Sequence, residues 1–321
     1  AQYRARKEGA EFIMGSATPS LEAWKLMSEH RIHRIDMRTR AGGGSFPRID
    51  VVNIRGEKRN ISEVMEKAIR EALDEKHGVL LFLNRRGYTY GYACMSCGHI
   101  ITCPNCSVSL TYHKKTHRLV CHTCGYSGPV VKACPECGSY DLSPRGFGTE
   151  NIEEELRGLF PYARIARLDT DTASESKENT QRILHGFRDG EIDILLGTQM
   201  IAKGLNFPSV TLVGVVNADS SLSVPDFRAS ERTFDLIHQV AGRAGRYRDD
   251  GRVIIQTSDP MAPAIRCAAE NDLESFYRIE MKNRKDTLFP PYSRLVNLTV
   301  RGKSERCTRE GAEEMERIAG E

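Results

Sequence analysis

The chain has 321 residues, a formal net charge of +3 and 28% charged residues, enough for about two domains and a sizeable core. Its uninterrupted apolar runs are short, such as VTLVGVV at 210–216, and the opening AQYRARKEGAEF has no apolar segment of signal-peptide type; this argues against helical membrane spans and for a soluble cytoplasmic protein. So small an excess of positive charge does not argue for nucleic acid by itself, and any such contact must come from local placement.

In chain order, SEVMEKAIREALDEKH (62–77) reads as a helix and GVLLFLN (78–84) as a buried strand. After a cysteine-rich block come a helical stretch at 150–159, the strand ARIARLD (163–169), a helix at 175–188 and the strand IDILLGT (192–198). VTLVGVV follows as a strand, then helical stretches at 228–240 and 262–270 flank the strand RVIIQT (252–257). Short apolar strands alternating with helices predict an α/β fold whose parallel sheet is covered on both faces. The tail FPPYSRLVNLTVRGKSERCTREGAEEMERIAGE reads as one strand and one charged helix.

Eight of the ten cysteines fall between positions 94 and 137, in four C-x₂-C pairs: Cys94/Cys97, Cys103/Cys106, Cys121/Cys124 and Cys134/Cys137. Two thiolates three positions apart on a tight turn can face one ion, and two such pairs complete the tetrahedral four-sulfur shell that zinc favours. Four pairs therefore predict two structural Zn²⁺ ions, as against disulfides or a redox motif. The sites can form within each half of the block or nest. The hairpin-like SLTYHKKTHRLV between Cys106 and Cys121 favours nesting. Cys94, Cys97, Cys134 and Cys137 then share one ion and Cys103, Cys106, Cys121 and Cys124 the other. The block interrupts the α/β series after its first strand and reads as an insertion with a metal-built core. At its hairpin tip His113, Lys114, Lys115, His117 and Arg118 form either a DNA or partner contact or a solvated turn.

IHQVAGRAGR (237–246) sets Arg243 and Arg246 on either side of an Ala-Gly step. Guanidinium forks clamp phosphate oxygens and keep their charge, so the pair points to phosphate chemistry. Strand carboxyl ends are where open α/β sheets gather their chemistry, and GTQMIAKG (197–204) starts at such an end. Thr149 opens the helix after GFGTEN as a cap, and helix N-termini attract phosphate. Two stretches mimic nucleotide motifs without meeting their requirements. RGKSE (301–305) lacks the glycine five positions before Gly302 that a phosphate loop needs, and DEKH (74–77) precedes a strand where metal-binding carboxylates follow one.

GSATPS (15–20), FLNRRGY (82–88), GTE (148–150), GTQMIAKGLNFPSVTLV (197–213) and QVAGRAGR (239–246) occur in this one order. Together they resemble the later motifs of superfamily 2 DNA helicases. The eight-cysteine insertion between FLNRRGY and GTE narrows the resemblance to the replication-restart, or PriA, family. The resemblance covers nearly the whole chain and implies two RecA-like lobes gripping ATP and Mg²⁺ between them. Residues 1–40 would be the end of the first lobe and a linker, 41–87 and 146–285 the second lobe, 88–145 the inserted two-zinc domain, and 286–321 the start of a truncated C-terminal α+β domain. The phosphate loop and the acidic DExH motif would lie upstream of Ala1.

By that resemblance, Gln239, Arg243 and Arg246 act in catalysis on the γ-phosphate. Lys203 and Gly204 border the nucleotide cleft, and Ser16 and Thr18 couple the lobes there. Thr149, Thr198 and Gln199 hold DNA phosphates. The implied activity is ATP-dependent 3′→5′ unwinding at stalled or collapsed forks, followed by primosome assembly. Its partners would be single-stranded and forked DNA, other primosome proteins and single-stranded DNA-binding protein, at forks in the nucleoid. The rivals are a non-enzymatic zinc adaptor and another superfamily 2 motor, such as a branch-migration helicase.

Overall fold

The structure, a computed structural model, describes residues 2–37, 46–55, 57, 59–83, 91–94, 96–97, 99, 101–105, 110–113, 116–121, 125–145, 149–168, 177–198, 207–222, 224, 226–244, 251–296, 298, 300 and 304–320. Elements run α1 (Gln2–Glu8), α2 (Leu21–Ser28), β1 (Arg48–Asn53), α3 (Glu63–Asp74) and β2 (Gly78–Phe82). The cysteine-rich block holds β3 (Gly91–Cys94), β4 (Thr111–His113), β5 (Arg118–Val120), β6 (Ser127–Pro129) and β7 (Leu142–Arg145). There follow α4 (Thr149–Leu159), β8 (Ile165–Leu168), α5 (Lys177–Arg188), β9 (Ile194–Gly197) and β10 (Val210–Val215). The rest is α6 (Asp219–Leu222), α7 (Ala229–Ala241), β11 (Arg252–Thr257), α8 (Pro263–Ala269), α9 (Leu273–Asp286) and α10 (Glu305–Gly320).

Six strands form one parallel sheet in the order β1-β11-β10-β2-β9-β8. Its central strands are apolar throughout because both faces are covered. Alternation along each strand sorts the side chains. Leu80, Phe82, Leu195, Val213, Val215, Val253 and Ile255 pack with Phe187 of α5, Phe234 and Ile237 of α7, Ile265 of α8 and Phe276 of α9. Val79, Leu81, Leu196, Leu212 and Ile254 face the other way, against Met65 and Ile69 of α3 and Ile152 and Leu156 of α4. Gly214, mid-strand in β10, is where α3 comes nearest: a Cβ there would stand 2.7 Å from both Met65 Sδ and Leu81 Cδ2.

A polar network ties α3 to β11. Buried Gln256 accepts from the Ser62 amide (2.8 Å) and donates to the carbonyls of Asn60 (2.7 Å) and Val216 (2.8 Å). Ser62 caps α3 by accepting from the Met65 amide, which fixes where that helix starts.

The cysteine-rich block departs from the sheet after β2 and returns at α4. It builds its own antiparallel sheet, β6-β5-β4-β3-β7, over a small core of Tyr92, Ile101, Leu110 and Leu119 with Cys103 and Cys121. Its entry and exit strands β3 and β7 pair with each other. The strand read from the tail is not found among the described residues of 287–304, while the charged helix is α10. Edge strand β1 and helices α2 and α9 are additions to the elements read from sequence. No helix among the described residues is long and apolar enough to cross a membrane.

Candidate functional site

In the cysteine-rich block the outer pairs meet. The sulfurs of Cys94, Cys97, Cys134 and Cys137 all lie within 4.8 Å of one another. Cys94 Sγ is 3.5 Å from Cys137 Sγ, and Cys97 Sγ is 3.6 Å from Cys134 Sγ. A disulfide needs about 2.05 Å, whereas neighbouring ligands of a tetrahedral zinc with Zn–S near 2.3 Å stand about 3.8 Å apart. The distances fit a shared ion.

Backbone turns aim these sulfurs. The Cys94 amide donates to the His99 carbonyl (2.8 Å), and the Cys134 amide to that of Ser139 (2.8 Å). The Gly138 amide closes the second turn on the Cys134 carbonyl (2.9 Å) with a φ of +72°, a conformation that favours glycine. Ser96 Oγ and Ser139 Oγ join the two turns at 2.8 Å. Hydrogen bonds from the backbone of Cys97, against some burial and aided by Ser96, bring the Cys94 thiol down to about 6. At Cys97 a backbone bond to His99 pulls the other way, but the sulfurs of Cys137, Cys134 and Cys94 together with burial push the thiol up to about 12. Crowded thiols suppress one another's ionisation, and a divalent cation relieves that conflict.

For the inner pairs, Cys106 and Cys124 lie outside the described residues. Cys103 and Cys121 are buried and carry turn features of the same kind. The Asn105 amide approaches Cys103 Sγ at 3.4 Å, and the Cys121 amide donates to the Tyr126 carbonyl at 2.7 Å. Gly125 closes on the Cys121 carbonyl (2.9 Å) with a φ of +78°, repeating the Cys134–Gly138 geometry.

The second candidate region is the carboxyl edge of the parallel sheet. Thr198 follows β9 directly and is buried. Thr149 is the first residue of α4 rather than the one before it, and only its backbone is described. Gln239 is exposed in the last turn of α7, and Arg243 stands just past it, its amide donating to the Val240 carbonyl at 2.9 Å; α7 runs back from the carboxyl edge, so this end lies near Phe46, ahead of β1, whose ring centroid is 5.7 Å from that of His238. Gln199, Lys203, Gly204 and Arg246 lie outside the described residues. Ser16 and Thr18 form a turn in which Ser16 Oγ accepts from the Thr18 amide (3.1 Å) and donates to the Thr18 carbonyl (2.8 Å). DEKH joins α3 to the amino end of β2, at the opposite edge. A concavity of about 770 Å³ lined by Asp74, His77, Phe160 and Arg164 opens there; it is remote from the strand ends where such sheets place their chemistry.

Two acidic residues not singled out by the sequence reading stand on α7. Glu231 is buried and accepts from Arg284 Nη2 of α9 at 2.8 Å. Asp235 has a fully buried Oδ1 with no hydrogen-bond partner among the described residues. Burial, opposed by a hydrogen bond from Thr18 and reinforced by the charge of Glu231, pushes its carboxyl up to about 7. Their signal in the sequence was a pair of acids four positions apart, interleaved with the apolar residues Phe234, Leu236 and Ile237 that the helix buries.

Comparison with known proteins finds matches over part of the cysteine-rich block and part of the α/β lobe. A family profile described as the PriA DNA helicase Cys-rich region (CRR) domain matches residues 103–129, and the helicase conserved C-terminal domain matches 148–248. Replication restart protein PriA of Treponema pallidum is 46% identical over 312 residues, which are 97% of this chain and 47% of that protein. The PriA proteins of Borreliella burgdorferi and Bacillus subtilis are 41% and 43% identical, over 96% and 92% of this chain and 46% and 37% of theirs. The chain thus spans less than half the length of these relatives. Over the span it shares with them, with its helicase C-terminal domain and its cysteine-rich insertion in the same order, the chain belongs to the PriA family of replication restart proteins.

Proposed function

We propose that the chain is the arginine-bearing portion of an ATP-dependent 3′→5′ DNA helicase that acts at stalled or collapsed forks and helps assemble the primosome. The observation that carries this reading is the order of parts on one sheet. Strand β9 leads into GTQMIAKG, α7 ends at Gln239 with Arg243 just beyond, and the helicase C-terminal match takes in both.

In this reading residues 41–87 and 146–285 form the second RecA-like lobe and 88–145 a two-zinc insertion. Residues 1–40 close the first lobe, and 286–321 begin a further domain. Arg243 and Arg246 present guanidinium forks to a γ-phosphate, with Gln239 beside them, where charge developing in phosphoryl transfer is stabilised. Lys203 and Gly204 border that cleft. Thr149, Thr198 and Gln199 contact DNA phosphates, which position a strand without reading its sequence. The thiolates of Cys94, Cys97, Cys134 and Cys137 hold one Zn²⁺, and Cys103, Cys106, Cys121 and Cys124 a second. A closed four-sulfur shell leaves no place for water, so both ions are structural. Forked and single-stranded DNA, primosome proteins and single-stranded DNA-binding protein are the partners, in the cytoplasm.

The test is strand displacement by a polypeptide of the relatives' full length, on duplexes with 3′ or 5′ single-stranded tails. ATP-dependent unwinding that proceeds 3′→5′ along the tailed strand is expected. DNA binding with no nucleotide turnover would instead favour a zinc-bearing adaptor and sink the motor reading.

A further inference from the structure

Residues 16–22 run along α7 in the opposite sense and are fastened at successive turns. Thr18 lies within hydrogen-bonding reach of the Asp235 carboxylate. The Leu21 amide donates to Glu231 Oε1 at 3.0 Å, and Arg228 Nη2 donates to Glu22 Oε1 at 2.7 Å. Positions 228, 231 and 235 are three and four apart, so they share one face of the helix. From α9, Tyr277 donates to the Pro19 carbonyl at 2.6 Å, and its ring stacks on Trp24 with centroids 4.2 Å apart. Leu21, within the strap, is fully buried.

Apolar side chains would hold this strap at lower cost, because a buried carboxylate is expensive unless its oxygens are satisfied. Glu231 meets that condition through Leu21 and Arg284, while Asp235 keeps one oxygen bare. The same face continues toward the arginines: Gln239 is one turn beyond Asp235 and Arg243 one turn beyond Gln239. Four residues at 1.5 Å rise put Gln239 about 6 Å beyond Asp235 along the helix, and Arg243 follows just past its end at Ala241.

We propose that Glu231 and Asp235 are positioning residues that clip the 16–22 strap to α7 and so fix the Ser16–Thr18 turn relative to Gln239 and Arg243. Its bearing on catalysis rests on the roles proposed above for those two residues; the clip itself does not. A shift of the strap along α7 moves the turn against the arginine end, and the Thr18–Asp235 bond is the contact nearest that end.

Trp24 is the chain's one tryptophan and reports the docked strap through its stack on Tyr277. In the 321-residue chain, Thr18→Val and Asp235→Ala should shift its emission to longer wavelength and open it to a soluble quencher. Thr18→Ser and Asp235→Asn, which keep a hydrogen bond, should retain the original emission. Thr18→Val leaves the core charges alone, so it serves if Asp235→Ala does not fold; circular dichroism checks both. In a full-length polypeptide, Thr18→Val should lower kcat for ATP about tenfold and hold KM within about twofold, with Thr18→Ser restoring the rate. Unchanged emission in folded Thr18→Val and Asp235→Ala proteins would overturn the clip. If the unsubstituted full-length protein turns over no ATP, the motor reading fails, while an emission shift still supports the clip.

Discussion

Cys94 and Cys137, 43 positions apart, bring their sulfurs to 3.5 Å, Cys94 from the last position of β3 and Cys137 from a turn, with no helix in the block behind either. Only β3, β7 and the turn hydrogen bonds converge on them, and the core of the block is a handful of side chains. Such a module depends on metal for its folding free energy, about 10–16 kcal/mol per ion in small zinc modules near neutral pH. Metal analysis of the purified chain should therefore find two zinc ions, falling to one in Cys94→Ser. Chelation should unfold 88–145 and leave the far-ultraviolet signal of the α/β lobe largely intact. Loss of both regions together would contradict a separate metal-built core.

Much of the lobe was legible because its strands are buried on both faces and show as continuous apolar runs: RVIIQT coincides with β11, and VTLVGVV ends one residue beyond β10. Edge strand β1, RIDVVN, escaped because Arg48 and Asp50 break the run, and in the fold Asp50 pairs with both Arg48 and Arg252. Helix α9 escaped for a related reason. Its buried face is Phe276, Tyr277, Glu280 and Arg284, so half of what it hides is charged and the apolar period is lost. The cysteine spacing showed which residues gather. It could not show the strap, whose contacts join positions more than two hundred residues apart.

Arg284 illustrates that hidden polarity. It is fully buried and donates to Glu231 (2.8 Å), Glu280 (3.2 Å) and the carbonyls of Pro290 (3.1 Å) and Phe227 (3.3 Å). Removing it leaves two carboxylates without their cation in the interior, which costs about 3–5 kcal/mol when a buried pair is broken. Arg284→Ala should lower the unfolding free energy read from a denaturant titration by that amount. Glu231→Gln with Glu280→Gln in the same chain should recover a good part of it. Arg284→Lys should fall between, since an ammonium cannot reach four acceptors in a planar fork. An Arg284→Ala chain as stable as the original would refute the account.

Asp235 makes stability depend on pH in a defined direction. Its carboxyl is pushed up to about 7 by burial, with Thr18 opposing and Glu231 adding, and Tyr277, itself pushed up by burial and by these two acids, faces it from α9. The folded state then binds a proton that the unfolded chain has already released between about pH 4 and 7. This contribution is complete below the unfolded value and is lost as pH rises through about 7. Other carboxylates, Asp50 and Asp193 among them, are held low by Arg252 and Arg164 and slope the other way, so the informative quantity is a difference. Asp235→Asn should gain stability relative to the original chain between pH 5.5 and 8. Parallel curves for the two proteins would show that Asp235 does not take up this proton.

The arginine end of α7 carries the last expectation, that this chain alone does not turn over ATP although a full-length relative does. Phosphoryl transfer needs the β- and γ-phosphates held, Mg²⁺ coordinated and a water oriented before an arginine can contribute. No glycine-rich phosphate loop is recognisable in the 321 residues, and DEKH sits at the amino end of β2, ahead of a strand rather than after one. Arg243 and Arg246 act on charge that develops only in the transition state, so without a held nucleotide they have nothing to stabilise. In the full-length protein, Arg243→Ala or Arg246→Ala should lower kcat by about 10³ or more while nucleotide affinity changes little, the signature of an interaction made only in the transition state. The 321-residue chain should release phosphate at background rate with or without single-stranded DNA. DNA-stimulated turnover by this chain, abolished by Arg246→Ala, would mean that it holds a phosphate site of its own.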